Sequence, residues 1–331
     1  MRYATFGRTG LRVPELVLGA MTFGEQGGVG APVEECRRIL DAYAEAGGNM
    51  VDTAINYRGG ASEEILGRLL AGRRDRFVVA TKYTVSRDPA DPNGGGNHRK
   101  NLRLSLETSL RRLQTDHIDV YWVHIWDRHT PIDETMRALD DAVRAGKVLY
   151  VGVSDTPAWV VARANTLAEW RGWTPFAGLQ VPYSLVNRDA ERELLPMAET
   201  LGLTVTAWSP LGGGVLSGKY NAGPATGQTR LNRDTISDAD LRVAQVVQEV
   251  ADELGVTPAH VALAWTRRRT NVHPIIGART ADQVRDNLRC LTVTLPPDSI
   301  ARLEAATAFT AGFPSDFIAQ TEPWVLGAAA L

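Results

Sequence analysis

Four side chains with acid–base chemistry stand at or just after short apolar runs of this sequence. An aspartate, a lysine and a histidine end three of these runs, and a tyrosine follows the first run by five residues; they are Asp52, Lys82, His124 and Tyr57. Apolar runs bounded by turn or helix signals are typical of buried parallel strands. The carboxyl ends of such strands meet at one edge of an α/β enzyme, where its chemistry takes place. We therefore expect the four groups to lie together as a tuned proton donor.

This combination suits the reduction of a carbonyl group. A phenol has a reference pKa of about 10 and is a poor acid near neutral pH, but a neighbouring ammonium favours the phenolate. Lys82 can supply that charge to Tyr57, and Asp52 can hold the ammonium in place and protonated. His124 can then orient a substrate carbonyl or pass a proton. Hydride must come from a bound carrier, because no side chain provides it.

The composition argues against several other classes of protein. The chain has 331 residues, enough for two ordinary domains or one large barrel, and its 44% apolar and 22% charged residues favour a globular core. A net charge of −2 without a basic stripe argues against nucleic-acid binding. Two isolated cysteines, Cys36 and Cys290, predict a reduced, cytoplasmic protein without a metal site. We find neither a signal peptide nor an apolar stretch of about 20 residues, so we expect no membrane span.

Strand and helix signals alternate along the chain and predict eight βα units. The strands centre near residues 17, 51, 79, 121, 151, 179, 206 and 274, and one of the intervening helices is predicted over residues 189–201. Eight such units predict a single α/β domain over residues 1–331, a closed (β/α)8 TIM barrel with extra helices. The alternative, a doubly wound Rossmann sheet, normally carries Gly-x-Gly-x-x-Gly after its first strand. None of the glycine-rich stretches has that spacing.

Three segments fall outside the eightfold pattern. Residues 2–14 predict an N-terminal β-hairpin that plugs the bottom of the barrel. Residues 219–237, rich in Gly, Asn, Thr and Arg, predict a long functional or disordered loop after the seventh strand. The tail, residues 309–331, has glycine and proline breaks but also large aromatic residues, so we expect a C-terminal loop that packs on another part of the protein.

The ends of strands five to seven offer groups suited to a nicotinamide dinucleotide. Trp208 can stack on the nicotinamide ring, while Ser154 and Gln180 can hydrogen-bond its carboxamide. The backbone that follows the seventh strand can approach the pyrophosphate, because glycine removes the obstruction of a Cβ atom. The residues assigned to this stretch are Ser209, Pro210, Leu211, Gly213, Gly218 and Lys219.

The end of the eighth strand completes the predicted cofactor site. Gly277 and Arg279 open a helix whose free N–H groups and guanidinium suit a 2′-phosphate. Gln283 and Asn287 share one face of that helix and can grip adenine. A structural explanation stays open for each feature, since glutamine and asparagine are common on helix surfaces and a glycine cluster can be only a flexible turn.

Several motifs together resemble the aldo-keto reductases across nearly the whole chain. They are VDTA at 51–54 with Tyr57, ATK at 80–82, DHIDVY at 116–121 leading to His124, VGVS at 151–154, LQ at 179–180, YSL at 183–185, WSPL at 208–211 and PIIGAR at 274–279. The resemblance implies a (β/α)8 barrel, NADP(H)-dependent carbonyl reduction, and a catalytic tetrad at Asp52, Tyr57, Lys82 and His124. It is nearest to the bacterial and potassium-channel β-subunit-like branch, because the seventh strand ends in Trp208.

Two positions of the predicted cofactor site depart from the usual pattern of that family. Asp155 follows the strand-five serine, where the family usually has Asn or Arg, so a carboxylate stands at the second carboxamide contact. Met21 stands where the channel-like branch often has Trp, so the pocket has a different shape. Arg279 favours NADPH over NADH.

The leading interpretation is an NADPH-dependent reductase of a small-molecule aldehyde or ketone. Besides Tyr57, His124 and Met21, the predicted substrate pocket contains aromatic side chains from loops over the mouth: Trp126, Phe313, Phe317 and Trp324. A weakly active, cofactor-binding regulatory or partner subunit is the alternative, although the complete tetrad favours catalysis. A Schiff-base lyase that uses Lys82 is a third interpretation. A homo-oligomer is compatible with the sequence.

Overall fold

Eight parallel strands close into a barrel, as predicted, in a computed structural model that describes residues 1–26, 28, 30–221 and 231–327. Each barrel strand pairs with the next one along the chain, and the last pairs with the first. An antiparallel hairpin of β1 (Tyr3–Thr5) and β2 (Arg12–Pro14) precedes the barrel. The barrel strands are β3 (Val17–Gly19), β4 (Met50–Asp52), β5 (Val78–Tyr83), β6 (Ile118–Val123), β7 (Val148–Ser154), β8 (Phe176–Pro182), β9 (Thr204–Trp208) and β10 (Val272–Gly277).

The hairpin closes the amino-terminal end of the barrel, as the sequence predicts. Phe6 is fully buried and meets Trp122 of β6 edge to face, with the ring centroids 6.0 Å apart. Glycine is required at Gly178 of β8, because a Cβ there would lie 2.4 Å from Cζ of Phe6. These aromatic rings join the apolar residues at the strand starts, such as Val17 and Met50. The lower interior is therefore filled, and the carboxyl-terminal mouth is left to polar side chains.

Helices cover the outside of the barrel and bury their apolar faces against the strands. Polar caps and glycines set many of their ends; the longest begins after Ser237, whose side chain accepts the N–H of Asp240, and ends at the left-handed Gly255. The helices are α1 (Val33–Glu45), α2 (Ala61–Leu70), α3 (Arg99–Leu113), α4 (Ile132–Arg144), α5 (Ala158–Arg171), α6 (Leu194–Leu201), α7 (Asp238–Leu254), α8 (Pro258–Thr266), α9 (Ala281–Leu288), α10 (Pro297–Ala305) and α11 (Ser315–Leu326). Within the described ranges, none of them combines the length and apolar character needed to span a bilayer.

The prediction of a single helix over residues 189–201 is wrong. A 3₁₀ turn, Asp189–Glu191, precedes the shorter helix α6. Pro196 explains the break, because it lies in the first turn of α6, where a missing N–H is tolerated. A helix continuing from residue 189 would place Pro196 in its interior, where the ring clashes with the preceding turn. Glu191 is held instead by Arg188, whose Nε donates to Oε1 at 2.8 Å.

The loop predicted over residues 219–237 and the tail predicted over residues 309–331 have different outcomes. Residues 222–230 of the predicted loop 219–237 lie outside the described residues. The tail forms the helix α11 rather than a packed loop, and none of the residues of α11 is buried. Contact between the tail and the barrel is made earlier, where Phe309 lies 4.7 Å below the guanidinium of Arg188. The prediction that the tail packs on the protein is therefore wrong for α11.

Candidate active site

The mouth of the barrel brings the four predicted acid–base groups together. Asp52 ends β4, and Lys82 lies near the end of β5. Tyr57 begins a 3₁₀ turn after β4, and His124 follows β6. Lys82 is fully buried, and its Nζ donates hydrogen bonds to Asp52 Oδ2 and, at 3.3 Å, to Tyr57 Oη. The Tyr57 and His124 rings meet edge to face with centroids 5.9 Å apart, so the four side chains form one network.

The ammonium of Lys82 stays charged in this network. Burial alone lowers the pKa of Lys82, but the charge of Asp52 and the contact with Tyr57 outweigh it, and the net shift is upward. Nζ also donates to the Thr53 carbonyl at 2.6 Å. Because Nζ donates to Tyr57 Oη, the phenolic hydrogen must point elsewhere. A positive charge at this distance favours the phenolate form of a tyrosine over the phenol.

Gln180 from β8 holds the second oxygen of Asp52. Its Nε2 donates to Asp52 Oδ1 at 3.1 Å and to Thr206 Oγ1 of β9 at 3.2 Å. Both amide hydrogens are used in this way, so Oε1 is the atom that remains for a ligand amide. Thr206 was not predicted from the sequence. The signal for it was the alternation of threonine with apolar residues in β9, which places Thr204 and Thr206 on the same face of the strand.

His124 carries no charge at this site. Burial, followed by the charge of Lys82, lowers the pKa of His124 to about 3. The backbone N–H of His124 donates to Thr84 Oγ1 at 3.2 Å, and Nδ1 is buried without a hydrogen-bond partner in the described part of the chain. A neutral imidazole beside Tyr57 can donate one N–H to a carbonyl oxygen. Of the two predicted roles, the geometry therefore favours orientation of the carbonyl over transfer of a proton through an imidazolium.

The pH dependence of turnover should lack an ionisation of His124. With its pKa at about 3, the imidazole is already neutral at mildly acidic pH and does not titrate as the pH rises further. We expect His124→Asn to lower kcat/KM at every pH and to leave the shape of the pH profile unchanged. An inflection near the reference histidine pKa of about 6.5 that is present in the wild type and lost in the variant would contradict this.

Ser154 presents a buried hydroxyl at the end of β7. Its side chain is 1% exposed, and Oγ makes no hydrogen bond of ordinary geometry among the described residues, although it interacts loosely with the Asp155 carboxyl, whose pKa it lowers. A buried polar atom left unpaired is costly and indicates a ligand group that pairs with it. Ser154 is the register partner of Gln180 on β8, so its hydroxyl lies beside the glutamine amide. The pair fits the carboxamide of a nicotinamide.

Asp155 is bound to Trp208 rather than left free at the second carboxamide contact. Trp208 Nε1 donates to Asp155 Oδ1 at 3.2 Å. Asp155 has a φ of 43°, in the left-handed region that aspartate tolerates better than most residues. Burial raises the pKa of Asp155, against the hydrogen bond from Trp208 and the charge of Lys82. Trp208 remains 37% exposed, so Asp155 orients an indole that still has a free face for stacking.

The turn after β9 gathers the residues predicted for the pyrophosphate. It contains a 3₁₀ segment, Gly212–Ser217, and Gly213, Gly214 and Gly218 have φ values of 66°, 100° and 80°. At Gly214 a Cβ would lie 2.5 Å from Lys219 Nζ, so a larger residue would collide with this amine. A left-handed glycine backbone can present its N–H groups to a phosphate, which fits the predicted role.

The start of α9 carries the residues predicted for the 2′-phosphate and adenine. The side chain of Thr280 caps the helix, and the backbone N–H of Arg279 donates to Gln283 Oε1 at 2.8 Å. Gln283 is exposed, whereas Asn287 is buried and presents little surface to a ligand. The structure therefore brings Arg279 and Gln283 together just after Gly277, the last residue of β10. The side chain of Asn287 is instead buried in the protein.

Two indole rings lie beside one another, one on the loop after β6 and the other in the first turn of α5. Trp126, a predicted substrate contact, meets Trp159 edge to face with centroids 5.8 Å apart. Trp159 is the second residue of α5, is 60% exposed and was not predicted. Its only signal in the sequence is its position a few residues after Ser154.

Met21 lies after β3, and its carbonyl accepts a hydrogen bond from Arg58 Nε at 3.0 Å, next to the turn that carries Tyr57.

The three tail aromatics predicted to line the substrate pocket do not line an enclosed pocket in the structure. Phe313, Phe317 and Trp324 are 86%, 54% and 81% exposed. Phe313 and Phe317 contact each other, with ring centroids 6.2 Å apart. Phe317 and Trp324 belong to α11, which buries none of its residues against the described part of the protein, so their rings do not form the wall of an enclosed pocket there.

Comparisons with known proteins identify the family of this chain. A sequence model described as the aldo/keto reductase family matches residues 15–308. The chain is 40% identical to norsolorinic acid reductase stcV of Emericella nidulans, over 93% of this chain and 82% of that protein. It is 38% identical to aryl-alcohol dehydrogenase GME11368 of Pestalotiopsis microspora, again over 93% of this chain and 82% of that protein. The predicted potassium-channel-like branch stays a prediction. On the family match and these identities, the chain belongs to the aldo/keto reductase family of oxidoreductases.

Proposed function

We propose that this protein reduces aldehydes or ketones to alcohols with NADPH, and that Tyr57 is the general acid. The observation that carries the proposal is the pair of contacts from buried Lys82 Nζ to Asp52 and to Tyr57 Oη. When bound, NADPH supplies the hydride that no side chain can provide. Tyr57 gives its proton to the carbonyl oxygen, and Lys82 stabilises the phenolate that is left.

The remaining polar groups of the mouth support this proton transfer. Neutral His124, whose ring contacts that of Tyr57, donates a hydrogen bond to the carbonyl oxygen and so orients it for the phenol. Asp52 keeps Lys82 protonated and in place, and Gln180 fixes the orientation of the Asp52 carboxylate. Each group is buried or partly buried, which strengthens its electrostatic effect relative to water.

The cofactor site that we propose follows from the groups on β7 to β10. Ser154 and Gln180 hold the carboxamide, and Trp208 stacks on the nicotinamide ring. The left-handed glycines after β9 approach the pyrophosphate with their backbone N–H groups. Arg279 at the start of α9 binds the 2′-phosphate, which is why we propose NADPH rather than NADH.

An aromatic carbonyl compound is the substrate class that we propose. The Trp126–Trp159 pair and the exposed part of Trp208 offer indole surfaces suited to a planar substrate. The name of one relative, aryl-alcohol dehydrogenase, supports the same class. The direct test follows the nicotinamide absorbance during turnover of matched aromatic and aliphatic aldehydes with NADPH or NADH. Faster turnover of the aliphatic series would contradict the substrate class, and a preference for NADH would contradict the cofactor.

The state of Lys82 argues against the Schiff-base interpretation. A lysine nucleophile must be neutral and reachable by its carbonyl partner, and burial with a lowered pKa is the usual means of activation. Here the side chain is fully buried, but its pKa is raised because the opposing charge of Asp52 outweighs burial. The contact of Nζ with Tyr57 also gives the amine a role beside the phenol, as proton transfer requires.

Removal of the Ser154 hydroxyl should weaken cofactor binding. Ser154→Ala deletes a partner for the carboxamide, and loss of one hydrogen bond of about 1 kcal/mol corresponds to a rise of about fivefold in the Kd for NADPH. Titration by quenching of tryptophan fluorescence measures this Kd. Ser299→Ala is the matched control, because Ser299 is also buried but lies on α10. Equal Kd values in Ser154→Ala, the control and the wild type would contradict the assignment.

A further inference from the structure

The segment that presents Tyr57 has an unusual backbone. The 3₁₀ turn Tyr57–Gly60 contains three successive residues with positive φ, namely Arg58 at 53°, Gly59 at 63° and Gly60 at 102°. Residues with a side chain are disfavoured in this left-handed region and persist there only when surrounding contacts hold them. The position of the Tyr57 phenol therefore depends on groups outside the turn.

Arg112 of α3 supports this turn. Its Nη1 donates to the carbonyl of Ile55, two residues before Tyr57, at 2.9 Å. A Cβ added to Gly60 would lie 2.3 Å from Arg112 Cζ, which shows that the guanidinium fills the space beside the end of the turn. Arg112 therefore contacts the chain on both sides of Tyr57.

Glu63 of α2 links Arg112 to the strand that carries Lys82. Its side chain is completely buried; Oε2 pairs with Arg112 Nη1 at 3.3 Å, and Oε1 accepts from Thr81 Oγ1 at 2.7 Å. Thr81 directly precedes Lys82 on β5. Burial raises the pKa of Glu63, against the opposing effects of its hydrogen bonds and of Arg112. One buried carboxylate thus connects the Tyr57 turn, through Arg112, with the backbone next to Lys82.

We propose that Arg112 and Glu63 are positioning residues that fix Tyr57 and Lys82 relative to each other from outside the barrel. The inference rests on the proposed function, in which a proton passes from Tyr57 while Lys82 stabilises the phenolate. Within the described residues no hydrogen bond or ion pair joins either residue to a tetrad side chain; their contacts are with Ile55, Gly60 and Thr81. Glu63 lies on α2 and Arg112 on α3, whereas the proposed cofactor residues lie at or after β7 to β10.

The inference predicts a loss confined to the proton-transfer half of the site. Misplacement of a reacting group by about 1 Å can cost about 10²-fold in rate. We expect Arg112→Ala to lower kcat about 10- to 100-fold and to leave the Kd for NADPH unchanged. Hydrogen exchange of the backbone over residues 55–60, measured by mass spectrometry, should become faster in this variant. Arg111→Ala is the matched control, since Arg111 is its neighbour in sequence and donates only to Thr108 in the described contacts.

Chemical rescue distinguishes positioning from a general loss of structure. Arg112 borders an outward-facing cavity of about 330 Å³, which it shares with Glu64, Arg68, Arg111 and Gln114. Methylguanidinium can enter such a space and replace the deleted guanidinium. We expect millimolar methylguanidinium to raise kcat of Arg112→Ala several-fold and to slow exchange over residues 55–60. Methylammonium at the same concentration, or methylguanidinium added to Arg111→Ala, should have no such effect.

The outcomes separate this inference from the proposed function. A wild-type protein that turns over no carbonyl refutes the proposed function, while unchanged exchange over residues 55–60 in Arg112→Ala overturns the positioning role. Wild-type kcat in Arg112→Ala, or parallel losses of kcat and NADPH binding without rescue, also overturns it. If Arg112→Ala does not fold, Glu63→Gln decides, because it keeps the size and the Thr81 contact of Glu63 but removes the charge. A fall in kcat of about tenfold at unchanged Kd supports the inference, and an unchanged kcat overturns it.

Discussion

Replacing Tyr57 with phenylalanine is expected to lower kcat for carbonyl reduction by about 10²- to 10⁴-fold. The change removes the proton that we assign to the carbonyl oxygen but keeps the ring that contacts His124. The Kd for NADPH should stay near the wild-type value, because the proposed cofactor contacts lie on β7 to β10. Steady-state turnover and quenching of tryptophan fluorescence measure the two quantities separately.

Tyr150→Phe is the matched control for this substitution. Tyr150 lies on β7 beside Phe6 at the closed end of the barrel, with ring centroids 6.4 Å apart, so its hydroxyl is remote from the mouth. We expect the control to keep wild-type kcat. Equal turnover in Tyr57→Phe and Tyr150→Phe would remove the acid role of Tyr57, since the reaction would then not need this phenol.

Replacement of Lys82, which forms a buried ion pair with Asp52, is the second change that we expect to have a large effect. A double-mutant cycle separates the effect of this change on catalysis from its effect on stability. Lys82→Met leaves the Asp52 carboxylate buried without its cation, and loss of one partner of a buried ion pair typically costs about 3–5 kcal/mol of unfolding free energy. It also removes the charge that stabilises the Tyr57 phenolate, so we expect kcat to fall by at least about 10²-fold. The free energy of unfolding is measured by urea denaturation.

Addition of Asp52→Asn to Lys82→Met should restore most of the stability and none of the activity. The neutral amide no longer needs a cation, while it can still bond with Gln180, which contacts Asp52 Oδ1 at 3.1 Å in the wild type. Stability and kcat that recover together would contradict separate roles for charge balance and phenolate stabilisation. A fully active Lys82→Met variant would contradict the role of the ammonium itself.

The barrel could be predicted because its strands are buried on both faces. Such strands appear in sequence as apolar runs between helix-ending glycines and turn residues, and the strand predicted near residue 121 is β6 (Ile118–Val123). Helical periodicity continues across the break before α6 and does not reveal it, whereas Pro196 forces the break. Large aromatic residues in a tail predict packing, but α11 exposes its own.

Candidate residues at strand ends could be predicted from the sequence. Contacts between residues far apart in the sequence could not. Asp52, Lys82 and His124 were found because the carboxyl ends of parallel strands meet at one mouth. The bond from Gln180 to Asp52 joins residues 128 apart, and the bond from Arg112 to Ile55 joins residues 57 apart. No local pattern marks such pairs.

The hydrogen bond of Asp155 is another contact that the sequence does not reveal. Its identity was noted in the sequence, but its hydrogen bond with Trp208 spans 53 positions. That contact reaches across β8, which lies between β7 and β9 in the barrel, and it involves an Asp155 backbone with a left-handed φ. The sequence alone could therefore place a carboxylate at this strand end but could not show that an indole N–H binds it.

The fate of the cofactor hydrogen tests the central claim most directly. Wild-type protein is supplied with an aromatic aldehyde and, separately, with the two NADPH epimers that carry deuterium at C4 of the nicotinamide. We predict that mass spectrometry finds deuterium on the carbinol carbon of the alcohol from one epimer only, and that Tyr57→Phe forms this product at least about 10²-fold more slowly. An alcohol free of deuterium from both epimers, or formed equally fast by Tyr57→Phe, would contradict hydride transfer coupled to protonation by Tyr57.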